Sequence, residues 1–194
     1  MTVEGVTAIV LAGGRSSRFG RDKLVEPIDG RPMLHLAIDA VRPLADAVLV
    51  VTAPGFQPLV PDGVRIVHDP EAFGGPLAGL LAGLDAGTSP VVLVAAGDMP
   101  ELVFQVGQTL LAEVVERGAA AAVLEEQGRL RPLPMALRRE PARAAARRLI
   151  DAGERRLRAL PEALAASVIP EATWRSLDPD ARSLRDIDTI ADLP

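Results

Sequence analysis

The sequence predicts an α/β fold built on a mostly parallel, doubly wound sheet. Short apolar runs alternate with helical patterns along most of the chain, which is typical of strands joined by crossover helices. The strand runs are apolar at nearly every position, so helices are expected to cover both faces of the sheet. A chain of 194 residues is long enough for one domain with a substantial core, and we assign residues 1–194 to a single domain.

The first half of the chain supplies four strands and two helices. The strands are short aliphatic runs bounded by turn residues, at positions 8–11, 47–51, 64–67 and 91–96. Pro32 is expected as the first residue of one helix, which Pro43 ends. Pro76 opens the second helix, which Gly87 closes.

The second half is less regular. A helix is predicted at 102–115 and a fifth strand at 119–124. The fifth strand overlaps the first arm of a predicted hairpin, whose arms are 121–125 and 130–137. Pro132 and Pro134 in the second arm suit only an edge or irregular strand, because proline cannot donate to a ladder. Later arginines are best interpreted as a solvated helical face, with a basic patch toward an anionic acceptor as the alternative: Arg143, Arg147, Arg148, Arg155, Arg156 and Arg158.

Composition excludes several classes of function. The formal net charge of -5 argues against a general nucleic-acid binder. The absence of cysteine excludes disulfides, thiolate metal sites and a thiol nucleophile. The first residues lack the pattern of a signal peptide, and no apolar run approaches the length of a membrane span. We therefore expect a cytoplasmic protein with no nucleic-acid or membrane partner.

The stretch from Leu11 to Lys23 carries the strongest functional signal. The first strand ends at Gly13-Gly14, where the backbone can turn sharply and approach a ligand. Arg15, Arg18 and Lys23 follow closely, and such cations with exposed backbone N–H groups suit a nucleoside triphosphate. A glycine-rich turn with solvated charges is the alternative, although it does not explain why the cations cluster. The spacing fits neither a Walker A loop nor the dinucleotide fingerprint.

Two acidic residues follow other predicted strands. Asp98 ends the most apolar strand, where a carboxylate can hold a hard cation such as Mg²⁺; a loop hydrogen bond is the alternative. Asp69 precedes Gly74-Gly75 and is expected to accept hydrogen bonds from a base or ribose or to support a metal, unless it only forms a turn. Ligands of doubly wound sheets bind beyond the carboxyl ends of the strands, so these segments should converge.

These motifs together resemble a known family. The pattern Leu11-x-Gly13-Gly14, Arg18 and Lys23 is similar to the signature of nucleotidyltransferases. With Gly-Pro-Leu-Ala-Gly at 75–79 and Asp-Met-Pro at 98–100, nearly the whole chain resembles the molybdenum cofactor guanylyltransferases. The resemblance implies a Rossmann-like, nucleotide-diphospho-sugar transferase-like fold, GTP and Mg²⁺. It also implies a molybdopterin-type phosphorylated acceptor, and a molybdoenzyme or cofactor-insertion protein as a downstream partner.

The resemblance also implies roles by position. Asp98 would bind nucleotide and magnesium, and further nucleotide contacts would come from Leu11, Ala12, Gly13, Lys23 and Asp69. The glycine-rich and basic pattern adds Gly14, Arg15 and Gly75 to the nucleotide contacts. Arg18, Lys23 and Asp98 are the predicted catalytic residues, because the two cations, and Asp98 through a bound magnesium ion, would neutralise phosphate charge.

The sequence departs from the family at the acceptor side. Two asparagines of the family's final segment are replaced by Asp186 and Asp188, and a nucleotide-contacting asparagine is replaced by Thr52. A carboxylate only accepts hydrogen bonds, so Asp186 and Asp188 are expected to meet the donor edge of a pterin, with Arg131 or Arg155 facing its phosphate. The alternatives are a cytidylyltransferase for the same pterin, a guanylyltransferase for a small phosphorylated acid, and a non-catalytic GTP-binding protein.

Overall fold

A seven-stranded sheet organises the computed structural model, which describes residues 5–13, 23–25, 27–28, 30–69 and 74–187. The strands of the described chain are β1 Val6–Ala12, β2 Pro27–Ile28, β3 Arg31–Pro32, β4 Ala47–Thr52, β5 Val64–His68, β6 Val91–Ala96, β7 Ala121–Glu126, β8 Arg129–Arg138 and β9 Ser167–Ile169. Its helices are α1 Met33–Val41, α2 Pro76–Ala86, α3 Phe104–Val115, α4 Arg139–Asp151, α5 Ala159–Ala163 and α6 Glu171–Arg175. Short 3-10 turns occupy Lys23–Val25, Arg42–Leu44 and Arg182–Leu184.

The strand order of the large sheet is β5-β4-β1-β6-β8-β7-β9. The first four of these strands run parallel, β8 runs antiparallel to both its neighbours, and β7 and β9 are parallel to each other. β2 and β3 form a separate small hairpin. The mostly parallel α/β architecture is therefore confirmed, with β8 as the one reversed strand of the large sheet.

Helices cover both faces of the sheet. Ala8 and Val10 of β1 belong to a core that includes buried residues of α1 and α3, whereas Ile9 belongs to a core shared with α2, α4 and α5. α2 approaches β1 closely, because a Cβ at Gly83 would lie 2.9 Å from Cδ1 of Ile9. The alternation along one buried strand thus supports the doubly wound arrangement. None of the helices in the described ranges is both long enough and apolar enough to cross a membrane.

β8 agrees with one of the two possibilities that its prolines left open, an irregular strand. The strand lies inside the sheet, between β6 and β7, and not at an edge. It is irregular as predicted, since its pairing with β7 shifts register between Val123 and Leu124 and its pairing with β6 begins only at Met135. Residues 132–134 lie between the two stretches of β8 that pair with β7, which are residues 129–131 and 135–137. Pro132 and Pro134 are tolerated in an interior strand because no ladder hydrogen bond is required of them there.

The start of the first helix differs from the prediction by one residue. Pro32 lies in β3, opposite Pro27, with the extended dihedral angles φ -55° and ψ 136°. α1 therefore begins at Met33. Pro43 does not end the helix abruptly but lies inside the 3-10 turn that follows α1. Pro76 and Gly87 flank α2 as predicted.

Candidate active site

The carboxyl ends of the neighbouring strands β4, β1 and β6 lie side by side, along the side of the sheet where these strands end. Ala12 pairs with Thr52 on one side, and Leu11 pairs with Ala96 on the other. The Gly97 N–H donates to the Leu11 carbonyl at 2.9 Å. Gly13, the exposed residue after β1, packs beside β4, since a Cβ there would lie 3.5 Å from the Ala53 nitrogen. The segments that follow these strands are therefore immediate neighbours.

Asp98 lies in the turn directly after β6 and is half-buried. The turn packs closely against the Lys23–Val25 turn, because a Cβ at Gly97 would lie 3.1 Å from Cδ2 of Leu24. The Asp98 carbonyl accepts a hydrogen bond from the Ile187 N–H at 3.1 Å. The chain around Asp98 is thus held from two sides, by the segment that carries Lys23 and by residues much later in the sequence.

Asp69 is attached to the end of β4. Its N–H donates to the Thr52 carbonyl at 2.9 Å, and its Oδ2 would lie 3.6 Å from a Cβ built on Gly79 of α2. Thr52 itself is fully buried, and its hydroxyl is hydrogen-bonded to Nδ1 of His68 at 3.0 Å. The Thr52 hydroxyl therefore links the ends of β4 and β5.

Gly75 has a packing role that the sequence did not reveal. Its φ is +87°, and a Cβ there would lie 2.9 Å from the Arg155 carbonyl oxygen. The same carbonyl accepts the Leu77 N–H at 3.3 Å, so the start of α2 is seated on the loop after α4. Glu154 organises that loop by accepting the N–H groups of Arg155 and Arg156, each at 2.8 Å. The hydrogen bond from the Arg156 side chain is the main cause that lowers the pKa of Glu154 to about 2.

We predict that Gly75→Ala destabilises the protein more than Gly63→Ala. Both glycines have positive φ, but a Cβ at Gly63 would meet nothing within 4 Å. Gly75→Ala adds the clash with the Arg155 carbonyl to the backbone strain, so its free energy of unfolding should fall by about 2 kcal/mol or more, against about 1 kcal/mol at Gly63. Urea denaturation of both variants measures the difference. Equal losses would show that the packing of α2 on the loop adds nothing.

The predicted acceptor-side residues are brought together in part. The Asp186 side chain is 44% exposed, and its Oδ2 lies 3.7 Å from Nη2 of Arg131. Arg155 is placed differently, since its Nη1 donates to the carbonyls of Ile150 and Glu154 at 2.9 and 3.1 Å. The predictions for Gly14, Arg15, Arg18 and Asp188 fall outside the described residues.

The arginines of α4 fit the solvated-face interpretation. Arg143 and Arg147 both bind the carboxylate of Asp85 on α2. The hydrogen bond that Arg143 donates to the Asp85 carboxylate is the main cause that raises the pKa of Arg143. These two side chains therefore link neighbouring helices on the protein surface and are already paired with a carboxylate.

The described carboxylates suit magnesium better than a metal held by protein ligands alone. Within residues 5–13, 23–25, 27–28, 30–69 and 74–187, no group of three or more His, Cys, Asp or Glu is arranged to hold a metal. Mg²⁺ usually takes one or two protein carboxylates and completes its coordination with water and substrate phosphates. A half-buried carboxylate at a strand end, as at Asp98, fits that pattern.

Comparison with known proteins places the chain in a family. Residues 8–168 match the MobA-like NTP transferase domain. The chain belongs to this family. It is 36% identical to a probable molybdenum cofactor guanylyltransferase of Chloroflexus aggregans, over 97% of this chain and 91% of that protein. It is 32% identical to a molybdenum cofactor guanylyltransferase of Cupriavidus necator, over 68% of this chain and 69% of that one. This MobA-like protein is accordingly an enzyme, a nucleotidyltransferase.

Solved structures confirm the fold of the MobA-like domain. Molybdopterin-guanine dinucleotide biosynthesis protein A of Archaeoglobus fulgidus superposes with a TM-score of 0.79 at 22% identity, covering 96% of this chain and 94% of that one. A 2-C-methyl-D-erythritol 4-phosphate cytidylyltransferase of Thermus thermophilus gives 0.69 at 22% identity, covering 98% and 96%. Proteins named for different substrates share this architecture, so choice of nucleotide and acceptor must depend on individual side chains.

Proposed function

We propose that this nucleotidyltransferase moves GMP from GTP to the phosphate of molybdenum-molybdopterin and releases pyrophosphate. The observation that carries the proposal is the 36% identity to the Chloroflexus guanylyltransferase along almost the full length of both proteins. The geometry is compatible with it, because the segments after β1, β4 and β6 adjoin at one edge of the sheet. We also infer one nucleotidyltransferase domain over residues 1–194, a cytoplasmic location, and delivery of the product to a molybdoenzyme or cofactor-insertion protein.

On the nucleotide side, we assign the triphosphate to the loop that begins at Gly13. Ala12 is buried, and the Leu11 carbonyl accepts the Gly97 N–H. These two residues would therefore contact the nucleotide through backbone atoms and help to form the surface at the end of β1. Gly14, Arg15, Arg18 and Lys23 would supply the phosphate contacts. Asp69, directly after β5, and Gly75, at the start of α2, would lie toward the ribose and base.

The chemistry is a displacement at phosphorus. An oxygen of the acceptor phosphate attacks the α-phosphorus of GTP, a new P–O bond forms, and the bond to the pyrophosphate leaving group breaks. A phosphate monoester has a second pKa of about 6 and is mostly dianionic near neutral pH, so no general base is required. Bound Mg²⁺ would neutralise charge on the triphosphate and the leaving group. Asp98 would hold that ion, while Arg18 and Lys23 would orient the phosphates in line with the acceptor.

On the acceptor side, we assign the pterin to Asp186 and Asp188 and its phosphate to Arg131. Asp186 and Arg131 lie 3.7 Å apart, and their side chains are 44% and 34% exposed, so one small region offers both an acceptor and a cation. A carboxylate can accept from the N–H groups of a pterin but would repel its phosphate. Arg131 is the better phosphate candidate because it lies beside Asp186, with Glu126 also 3.8 Å from its guanidinium, whereas the Arg155 guanidinium donates to two main-chain carbonyls.

We predict that GTP is the preferred nucleotide and metal-loaded molybdopterin the preferred acceptor. The test is pyrophosphate release with GTP, ATP, CTP and UTP, each with molybdenum-molybdopterin or a small phosphorylated acid as acceptor. The pair GTP and molybdenum-molybdopterin should exceed every other combination in kcat/KM by about tenfold or more, the difference that ~1.4 kcal/mol of selective binding produces.

Other outcomes identify the alternatives. A preference for CTP would make the enzyme a cytidylyltransferase. Transfer only to the small acid would disprove the pterin acceptor and leave the guanylyltransferase activity in place. Binding of GTP without pyrophosphate release with any acceptor would favour the third alternative, a non-catalytic GTP-binding protein.

A further inference from the structure

Residues 178–187, here called the clasp segment, lie over the loop that follows Asp98. The segment is folded around Asp178, which is buried although it is acidic. The Asp178 carboxylate accepts the N–H groups of Arg182 at 3.0 Å and Ser183 at 2.7 Å. These bonds satisfy both carboxylate oxygens and fix the Arg182–Leu184 turn, so the clasp segment has a defined conformation.

The clasp segment is attached to the loop at three points. Near the loop's far end, the Ser183 hydroxyl accepts the Val103 N–H at 3.0 Å. In the middle, the Glu101 carboxylate binds two guanidinium groups, Nε of Arg182 at 3.2 Å and Nη1 of Arg185 at 2.8 Å. At the near end, the Ile187 N–H donates to the Asp98 carbonyl at 3.1 Å. A single stretch of chain thus follows the loop from Val103 back to Asp98.

The same segment reaches both substrate sides of the proposed site. The Ile187 side chain is 2% exposed and packs with Ile28 and Met33, just beyond the Lys23–Val25 turn. Asp186, the preceding residue, is 44% exposed and lies beside Arg131. Arg185 is the charged residue immediately before Asp186, so its bond to Glu101 is well placed to determine where the Asp186 carboxylate points.

We propose that Glu101 is a positioning residue that sets the geometry of the acceptor side relative to Asp98. Its carboxylate holds Arg182 and Arg185 on the Asp98 loop and thereby fixes Asp186 at a set place beside Arg131. The proposal rests on the proposed function, in which Asp186 meets the acceptor. Glu101 itself touches neither substrate, so its removal should weaken acceptor binding and leave nucleotide binding unchanged.

Loss of the Glu101 carboxylate is expected to change the KM for the acceptor but neither the Kd for GTP nor kcat. Glu101→Gln should raise the KM for the acceptor by about fivefold, a loss typical of a small network of exposed ion pairs. The Kd for GTP with Mg²⁺ and the value of kcat should stay within about twofold of wild type, because the loop is still anchored at Asp98 and Val103. If the contact only stabilised the fold, its loss would lower the melting temperature and leave the KM for the acceptor unchanged.

The experiment compares full-length wild type with Glu101→Gln, Arg185→Gln, the double variant and Arg117→Gln. Arg117 pairs with Glu113 at the opposite end of α3 from Val103, has no ion pair with the clasp segment within the described ranges, and is the matched control. Steady-state transfer at saturating Mg²⁺ and GTP gives the acceptor KM and kcat, and calorimetry gives the GTP Kd. The double variant should be no worse than Glu101→Gln, since that substitution already removes the pair with Arg185.

Hydrogen exchange gives a readout that needs no acceptor. The amides of residues 184–187 should exchange faster in Glu101→Gln than in wild type or Arg117→Gln. Unchanged exchange there, an unchanged acceptor KM, or an equal KM increase in Arg117→Gln would each overturn the positioning role. If wild type transfers only to another phosphorylated acceptor, the proposed function fails, and the same KM comparison with that acceptor still decides the role of Glu101.

Discussion

Asp98→Ala is expected to abolish magnesium-dependent nucleotidyl transfer while the protein remains folded. The side chain is half-buried in a turn after β6, so its removal takes no core contact from the sheet. If Asp98 is the carboxylate that holds the metal, its loss removes several kcal/mol of transition-state stabilisation, and kcat should fall by about 10³-fold or more. Pyrophosphate release across a Mg²⁺ titration measures the effect, and thermal unfolding verifies the fold.

The matched control for this prediction is Asp62→Ala. Asp62 also lies in a turn, but this turn precedes β5 and is therefore at the opposite edge of the sheet. The control variant should keep wild-type turnover. Near-normal turnover in Asp98→Ala, or an equal loss in both variants, would disprove the metal assignment.

Trp174→Ala is expected to cause the largest loss of stability that we predict. Trp174 is fully buried, its Nε1 donates to the Glu125 carbonyl at 2.8 Å, and the Arg175 guanidinium lies 4.8 Å from the centre of its ring. Truncation leaves a large cavity and an unpaired carbonyl, so the free energy of unfolding should fall by about 3–5 kcal/mol. For a chain of this size, the melting temperature should fall by about 10 °C.

Trp174→Phe separates the two contributions. It retains most of the ring volume and removes the hydrogen bond to Glu125 together with a small part of the packing, so its cost should be about 1–2 kcal/mol. Urea denaturation of both variants gives the comparison. A loss below about 1 kcal/mol in Trp174→Ala would mean that α6 is not anchored to the sheet through this side chain.

Local patterns were sufficient for most strands and helices. Aliphatic runs bounded by turns predicted β1, β4, β5 and β6, and the flanking Pro76 and Gly87 predicted the limits of α2. The place of β8 was not predictable in this way. Strand order depends on pairing between distant residues. The local rule for Pro132 and Pro134 left an edge strand and an irregular strand both open, because a shift in register is not visible in one strand alone.

The candidate site likewise combines residues that local motifs predict with residues whose roles depend on distant contacts. Gly13, Asp69 and Asp98 could be selected from motifs, because each follows an apolar strand and such ends share one edge of the sheet. Glu101 could not be selected, since its partners Arg182 and Arg185 are 81 and 84 positions away. The ligand contact selected for Gly75 stays a prediction, and its packing against the Arg155 carbonyl has no signature in the local sequence.

The late position of β8 in the chain has a consequence for synthesis of the protein. β1, β4, β5 and β6 all come from residues 6–96, so this parallel half can pair once β6 has left the ribosome. The second neighbour of β6 is residues 135–138, which emerge after α3 and β7. Until then, one side of β6 presents unpaired N–H and C=O groups that other chains can pair with. The nascent enzyme is therefore most prone to aggregation after β6 has emerged from the ribosome and before residues 135–138 emerge.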